Sequence, residues 1–411
     1  MTDENFCVAP WMHFHVINDG RVFPCCMTPV ETKNSFGNVK TNKIEHIMNS
    51  TLARNMRKDM LDGKPLPESC IRCTEKEKSG LNSMRTGLNS RWKKSIQESI
   101  DTTESDGTVK DFQLKYCDYR FSNFCNLACP TCAPLFSTQW YSDWEKLWPG
   151  VNKDPALIDL KDANLFWDEI SKYVLTTEEM HIAGGEPFMM PENVKILDLL
   201  DEANKTDISL KYSTNCTNLV QQGKNVLERL SKFKYVHLSC SIDAVGPAFE
   251  YVRYKGKWKT TFENLKSIRK SGLDYWIHPT ISILNIFRLT ELHEVLHKND
   301  IIPLEKVCKT RGFSMEHYWV DRMHLSPLFT PEYDSITVLP VKLKEQAADK
   351  ITKYGKQLEK DTGIPFTGWQ SIIDFMYQYD NSHLYDDFFE NIKKLDNIRG
   401  NSFFKINKEF L

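Results

Sequence analysis

The chain has 411 residues, 41% apolar and 26% charged, enough for two or three domains with a sizeable core, which excludes a disordered chain. Lys+Arg 53 against Asp+Glu 55 leaves a net charge of −2, so no global field of either sign marks nucleic acid or a membrane as the partner. No apolar run approaches the roughly 20 residues that span a bilayer, and the acidic start MTDENFCVAP lacks the basic and apolar parts of a secretory leader, so a cytoplasmic location is expected.

The first 80 residues are rich in turns, with Gly20, Pro24, Pro29, Gly37, Gly63, Pro65 and Pro67, and carry one predicted helix from about Ile44 to Leu61. Residues 81–111 are polar and read as a connector; the run RWKKS at 91–95 reads as a solvated helix face, not an RNA contact. From 112 to 320, β-rich runs centred on Leu114, Met180, Ser209, Val236, Ile277 and Met315 alternate with helical runs, at intervals that suit βα units of about 30 residues. Three helices carry apolar stripes, expected to face the core: Trp140, Trp144 and Trp148; Phe262, Leu265 and Ile268; Leu289, Leu292 and Leu296. This predicts the α/β class, a parallel sheet or partial barrel with its chemistry at the carboxyl ends of the strands. Residues 321–411 are charged and expected to be mainly helical, a candidate substrate-binding region.

The 12 cysteines are clustered, which in a chain without a leader points to metal or redox chemistry and not to disulfides. Cys125, Cys129 and Cys132 have the spacing C-x3-C-x2-C just after the first predicted strand of the βα series. Three thiolates hold three corners of a [4Fe–4S] cluster and leave one iron open, the mark of a catalytic centre. A zinc site completed by a fourth ligand such as Cys117 is the alternative on spacing alone, although a buried core cysteine is the expected identity of Cys117. In the N-terminal region Cys7 and Cys25 form C-x12-G-x4-C, and Cys70 and Cys73 form C-x2-C. Four thiolates close a cluster fully, with a zinc ribbon as the alternative and Cys26 competing with Cys25. A short, turn-rich module of this kind is expected to gain stability from its metal.

The segment FSNFCNLACPTCA resembles the signature loop of the radical S-adenosylmethionine (radical SAM) superfamily, and further elements follow in order. HIAGGEP brings Gly184, Gly185, Glu186 and Pro187 to the end of the second strand, 52 residues after the third cysteine. YSTNCTN supplies Asn215, LSCSIDAV supplies Ser241 and Asp243, and Arg253 and Asn285 follow. The resemblance implies a partial (β/α)6, TIM-like barrel whose [4Fe–4S] cluster, on Cys125, Cys129 and Cys132, binds S-adenosylmethionine at its open iron. It implies that GGEP, Asn215, Ser241, Asp243 and Arg253 contact that cofactor. Thr131 stands where an aromatic residue is common in the superfamily, so Phe136 becomes a candidate for packing on the adenine.

The N-terminal pattern resembles the auxiliary-cluster modules called SPASM and twitch, here placed ahead of the barrel instead of after it. That resemblance implies a second, auxiliary [4Fe–4S] cluster on Cys7, Cys25, Cys70 and Cys73. It divides the chain into a module at 1–80, a connector at 81–111, a barrel at 112–320 and a tail at 321–411. The implied activity is reductive cleavage of S-adenosylmethionine to a 5′-deoxyadenosyl radical that abstracts a hydrogen atom. The implied partners are an external electron donor of flavodoxin or ferredoxin type and a substrate. A peptide or protein side chain is favoured over a small sugar, alcohol or cofactor precursor, and a non-catalytic zinc or iron–sulfur interaction module is the competing class. No catalytic acid or base can be named from the sequence.

Overall fold

The structure, a computed structural model, describes residues 3–78, 82–151, 155–303, 322–363 and 369–411. Cys308 and the strand expected around Met315 lie outside the described residues. No helix among those described is long and apolar enough to cross a membrane. The chain divides into two compact units, Met1–Phe124, Leu157–Tyr212 and Leu230–Val236 in one, and Cys125–Ala156, Ser213–Arg229 and His237–Leu411 in the other.

The first unit is built on a sheet of β1 (His13–Val16), β2 (Arg21–Phe23), β3 (Gly37–Asn38), β4 (Tyr116–Arg120), β5 (Glu179–Ala183) and β6 (Ser209–Thr214). Their order is β6-β5-β4-β1-β2-β3. β1, β4, β5 and β6 are parallel, with His13 opposite Tyr116 and Tyr116 opposite Glu179, whereas β2 and β3 add antiparallel strands at the N-terminal end. The N-terminal region is therefore not a free-standing appendage: its strand β1 extends the row that starts the βα series. Side chains alternate across a strand, so Phe14, Val16, Cys117, Tyr119, Met180, Ile182, Leu210 and Tyr212 share one fully buried face.

The predicted helix over 44–61 is two helices, Ile44–Met48 and Thr51–Leu61. Ser50 breaks it by acting as an N-cap, its hydroxyl accepting from Ala53 N, because Ser competes well for exposed helix-start amides. Arg57 ties this pair to the rest of the unit. It is fully buried and donates to the carbonyls of Gly107, Pro10 and Met48 and to Asn49 Oδ1 at 2.7–2.9 Å. The expected connector contains the helices Met84–Trp92 and Gln97–Asp101, and Trp92, Ile96 and Ile100 are buried.

The second unit contains the parallel pair β7 (Tyr235–Cys240) and β8 (Asp274–Ile277), paired from His237 opposite Asp274 to Cys240 opposite Ile277. The helices Trp258–Ser271 and Leu289–Lys298 bury Leu265, Ile268, Leu289, Leu292 and Leu296, as their stripes predict, whereas Phe262 is only half-buried. Val341–Thr362 and Tyr385–Arg399 make the C-terminal region mainly helical. The tryptophan stripe departs from expectation: Trp140 is buried, but Trp144 and Trp148 are only half-buried on the helix Tyr141–Leu147. Among the described residues the strands form open rows, without closure into a barrel.

Candidate active site and auxiliary site

In the second unit, Cys125, Cys129 and Cys132 pack around Leu127 on one loop. The loop is irregular, so its backbone groups must be satisfied one by one. Cys132 N donates to Cys129 O at 2.9 Å, and Ala128 N to Tyr254 O at 3.0 Å. Trp140 Nε1 donates to Cys129 O at 2.7 Å, Thr138 Oγ1 to Cys125 O at 3.2 Å, and the Ser137 hydroxyl to Leu127 O. The apolar stripe read as core thus supplies, in Trp140, a direct support for the cysteine loop.

Four predicted residues meet this loop or each other in the same unit. Asn215 Nδ2 lies 3.8 Å from Cys125 Sγ and 3.0 Å from Asn126 Oδ1. Arg253 Nη1 lies 3.8 Å from Cys129 Sγ. Its other edge engages Asp243 in a two-point ion pair, Nη2 to Oδ1 at 2.9 Å and Nε to Oδ2 at 2.6 Å. Burial disfavours its cation, but Asp243, then Cys129, holds the guanidinium above its ordinary pKa. Asp243 also accepts from Thr280 N at 2.8 Å, and Asn285 Nδ2 bridges the carbonyls of Asp243 and Thr280 at 3.0 and 2.9 Å. Ser241 is half-buried, with its N–H on Thr214 O at 2.8 Å. Phe136 is half-buried, its N–H on Ala133 O at 2.9 Å.

GGEP lies in the first unit and holds the residues that lead into Cys125. Gly185 N donates to Ser122 O at 2.9 Å and Glu186 N to Phe124 O at 2.8 Å. A Cβ on Gly185 would stand 2.2 Å from Phe124 O, and one on Gly184, whose φ is +113°, 2.9 Å from Ser122 O. Both glycines are therefore required by close approach of this chain's own backbone. Glu186 is fully buried, and its carboxylate accepts from Phe188 N at 3.2 Å, capping the short turn opened by Pro187.

The first unit also gathers the N-terminal cysteines. Cys70 ends the turn Glu68–Cys70 and Cys73 lies in the helix Ile71–Lys78, three positions on, where both share one face. Burial pushes the Cys7 thiol well up, and Cys25, Cys70 and Cys73 add to the push, so these four sulfurs sense one another. Cys26 points elsewhere: its sulfur lies 3.4 Å from Met84 Sδ, and, after burial, Asp118 is the strongest influence on it. The helix Met84–Trp92 anchors the loop that bears Cys7, through Arg85 on Phe6 O at 2.8 Å and Asn89 on Phe6 O and Val8 N at 2.8 and 2.9 Å. Among the described residues no group of three His, Cys, Asp or Glu closes on a single-ion site. Cys117 is a core cysteine on the apolar face of β4, its sulfur 3.8 Å from Thr177 Oγ1.

Sequence reasoning missed a polar network on the opposite face of the sheet. Parallel strands in α/β folds usually bury apolar residues on both faces. Here that face carries His13 and His15 on β1, Tyr116, Asp118 and Arg120 on β4, Glu179 and His181 on β5, and Lys211 on β6. Fully buried Asp118 is its hub, with Arg120 Nη1 at 2.9 Å, His181 Nδ1 at 3.3 Å and His15 Nδ1 at 3.4 Å. Burial would raise the Asp118 carboxyl, but Arg120, His181 and His15 hold it well below the usual range. Burial lowers His13 to about 4; its Nδ1 meets Pro24 O at 3.2 Å, and its buried Nε2 has no hydrogen-bond partner. The only hint in the sequence was the alternation HFHV at 13–16.

Comparison with known proteins bears on these sites. The SPASM iron–sulfur cluster-binding domain family matches residues 7–74, and the radical SAM superfamily matches residues 119–296. No curated protein matches the chain. Among solved structures, anSMEcpe with bound AdoMet and a peptide is 12% identical at a TM-score of 0.33, over 48% of this chain and 53% of that one. Streptococcus suis SuiB bound to S-adenosylmethionine is 15% identical at a TM-score of 0.36, over 84% and 68%. The chain thus spans about half the length of the first of these structures. The radical SAM domain carries a [4Fe–4S] cluster that binds S-adenosylmethionine, and the SPASM domain an auxiliary iron–sulfur centre. The donor sets suit both groups: all-thiolate ligation is the iron–sulfur pattern, with three thiols on the central loop and four in the N-terminal group. The chain thus carries a radical SAM domain, with an SPASM iron–sulfur domain ahead of it.

Proposed function

We propose that the chain uses Cys125, Cys129 and Cys132 to hold the catalytic cluster, and Cys7, Cys25, Cys70 and Cys73 to hold a single auxiliary [4Fe–4S] cluster. The observation that carries this reading is the assembly of three cysteines on one fully supported loop, with Asn215 and Arg253 at two of the sulfurs. With the cofactor bound, this centre supplies a 5′-deoxyadenosyl radical for hydrogen-atom abstraction. The protein's part is position and exclusion of water. Gly184, Gly185, Glu186 and Pro187 brace the entry to the loop and offer backbone groups to the methionine end. Asn215, Ser241 and Asp243 are the polar contacts. Arg253, already paired with Asp243, orients the cofactor carboxylate from the side of Cys129.

The substrate proposed is a peptide or protein side chain, a reading that rests on the SPASM module. An external flavodoxin- or ferredoxin-type donor delivers the electron, and the cytoplasm is the proposed location. The test is anaerobic reconstitution of the full chain, which should load about eight irons if both clusters are of the four-iron type. Dithionite with S-adenosylmethionine should then yield 5′-deoxyadenosine. Cys125→Ala should abolish that product, whereas Cys70→Ala should lose only the auxiliary irons and still form it. Zinc in both sites with no nucleoside product sinks the proposal.

A further inference from the structure

We infer that Arg399, the last residue of the C-terminal helix Tyr385–Arg399, is a positioning residue for the catalytic cluster: it clamps the Ala128–Cys129 segment and sets the charge around the Cys129 sulfur. The inference rests on the assignment of Cys129 as a cluster ligand. Every residue involved belongs to the second unit.

The guanidinium lies over two rings, 4.7 Å from the centroid of Trp140 and 4.3 Å from that of Tyr254. Each of these residues holds the cysteine loop. Trp140 donates its indole N–H to Cys129 O at 2.7 Å, and Tyr254 O accepts from Ala128 N at 3.0 Å. Arg399 is thus the common filling between the two supports of adjacent loop residues. A planar cation fits this slot and an ammonium does not, because only the guanidinium can stack on both faces.

The side chain is 2% exposed and pairs through Nε with Asp143 Oδ2 at 2.9 Å. Asp143 lies on the helix Tyr141–Leu147, directly after Trp140. The C-terminal helix is pinned one turn earlier, where Asp396 accepts from Tyr251 OH at 3.0 Å and from Phe403 N at 2.6 Å. Gly400, at φ +67°, then ends the helix at Arg399. A buried ion pair is weak evidence of stabilisation by itself, since desolvation offsets most of the attraction.

Two buried guanidiniums therefore serve this loop: Arg253, 3.8 Å from Cys129 Sγ and backed by Asp243, and Arg399, which reaches it through Trp140 and Tyr254 and is backed by Asp143. Each cation has its own carboxylate, so the two pairs act on Cys129 chiefly through the orientation of their charges. That arrangement eases the arrival of an extra electron at the cluster this loop would hold.

The test is an EPR-monitored redox titration of the reconstituted full chain, in the Cys70→Ala background so that only the central cluster reports. Arg399→Gln should move the midpoint potential to more negative values, because a positive charge is lost. Asp143→Asn should move it to more positive values, because the same positive charge is left uncompensated. Two changes that break one ion pair yet shift the potential in opposite senses cannot come from loosening alone. Arg399→Lys should recover most of the potential while leaving the cluster easier to strip with a chelator, since charge is kept and stacking is lost. If both Arg399→Gln and Asp143→Asn load the cluster and shift alike, or neither moves, the inference is overturned. Should Arg399→Gln fail to fold, Asp143→Asn alone still decides by the sign of its shift. Failure of the unsubstituted chain to load a four-iron cluster would overturn the assignment of Cys129 itself, a distinguishable result.

Discussion

The two cysteine regions, both proposed as ligand sets, are built in different ways. The central set comes from one loop, Cys125 to Cys132, whose carbonyls and amides are held by Trp140, Thr138, Ser137 and Tyr254, and whose Cys129 faces a guanidinium. The N-terminal set is drawn from separate segments, a turn before β1, a turn after β2 and the start of the helix Ile71–Lys78. Burial is the first influence at both sets, raising Cys7 well up and Cys70 to about 12 in one and raising Cys129 in the other. The central site is therefore specified locally by its own loop, and the N-terminal one by the convergence of separate segments, with Arg85 among its charged neighbours. A catalytic centre that must accept an electron suits the first description. A fully ligated auxiliary centre suits the second.

The largest effect that tests this contrast is ligand identity in the dispersed set. Cys25→Ser should remove the auxiliary irons, roughly half of the total if both clusters are of the four-iron type. Cys26→Ser should leave them, because its sulfur is engaged with Met84 and influenced by Asp118. Iron counting and the absorbance of the reconstituted protein read the difference. Loss of iron in Cys26→Ser with retention in Cys25→Ser would exchange the two assignments.

How much could be read from the sequence follows the same division. The central site was legible because C-x3-C-x2-C is short-range and GGEP, Asn215 and Asp243 sit at strand ends whose spacing the sequence displays. Five of the six expected strands are present, since alternating β-rich and helical runs report local periodicity. What was hidden depends on contacts between distant segments. Nothing in HFHV announces that β1 lies parallel to β4, since pairing register is a tertiary property. Nothing in the charged tail singles out Arg399, 256 positions from its partner Asp143. The break at Ser50 was missed because an apolar stripe continues through it, while the cap is a single hydroxyl.

A smaller effect sharpens the contrast through pH. The polar face that borders the N-terminal cysteines contains His13, lowered by burial to about 4 against an unfolded value near 6.5. The unfolded chain therefore binds this proton first as the pH falls. Stability is intact above pH 6.5 and is lost on the way down to about pH 4, by up to about 3 kcal/mol. His181, also lowered first by burial, adds in the same sense. Urea unfolding of the apoprotein at several pH values should show the decline, and His13→Phe should flatten it. A profile of unchanged slope in His13→Phe would mean that this imidazole is not the buried neutral group described.

The smallest effect concerns the local specification of the central loop. Trp140→Phe keeps an aromatic ring beneath Arg399 but deletes the indole N–H that meets Cys129 O at 2.7 Å. Removing one partner of a buried hydrogen bond leaves a carbonyl unsatisfied, which costs about 1–3 kcal/mol. That cost falls on a loop already tied by Tyr254, Thr138 and Ser137, so the low end of the range, about 1 kcal/mol, is expected in the unfolding free energy. The more telling readout is selective: a chelator should strip the central irons faster and the auxiliary irons at an unchanged rate. Equal acceleration at both sites would show that the loop owes its order to something other than these local bonds.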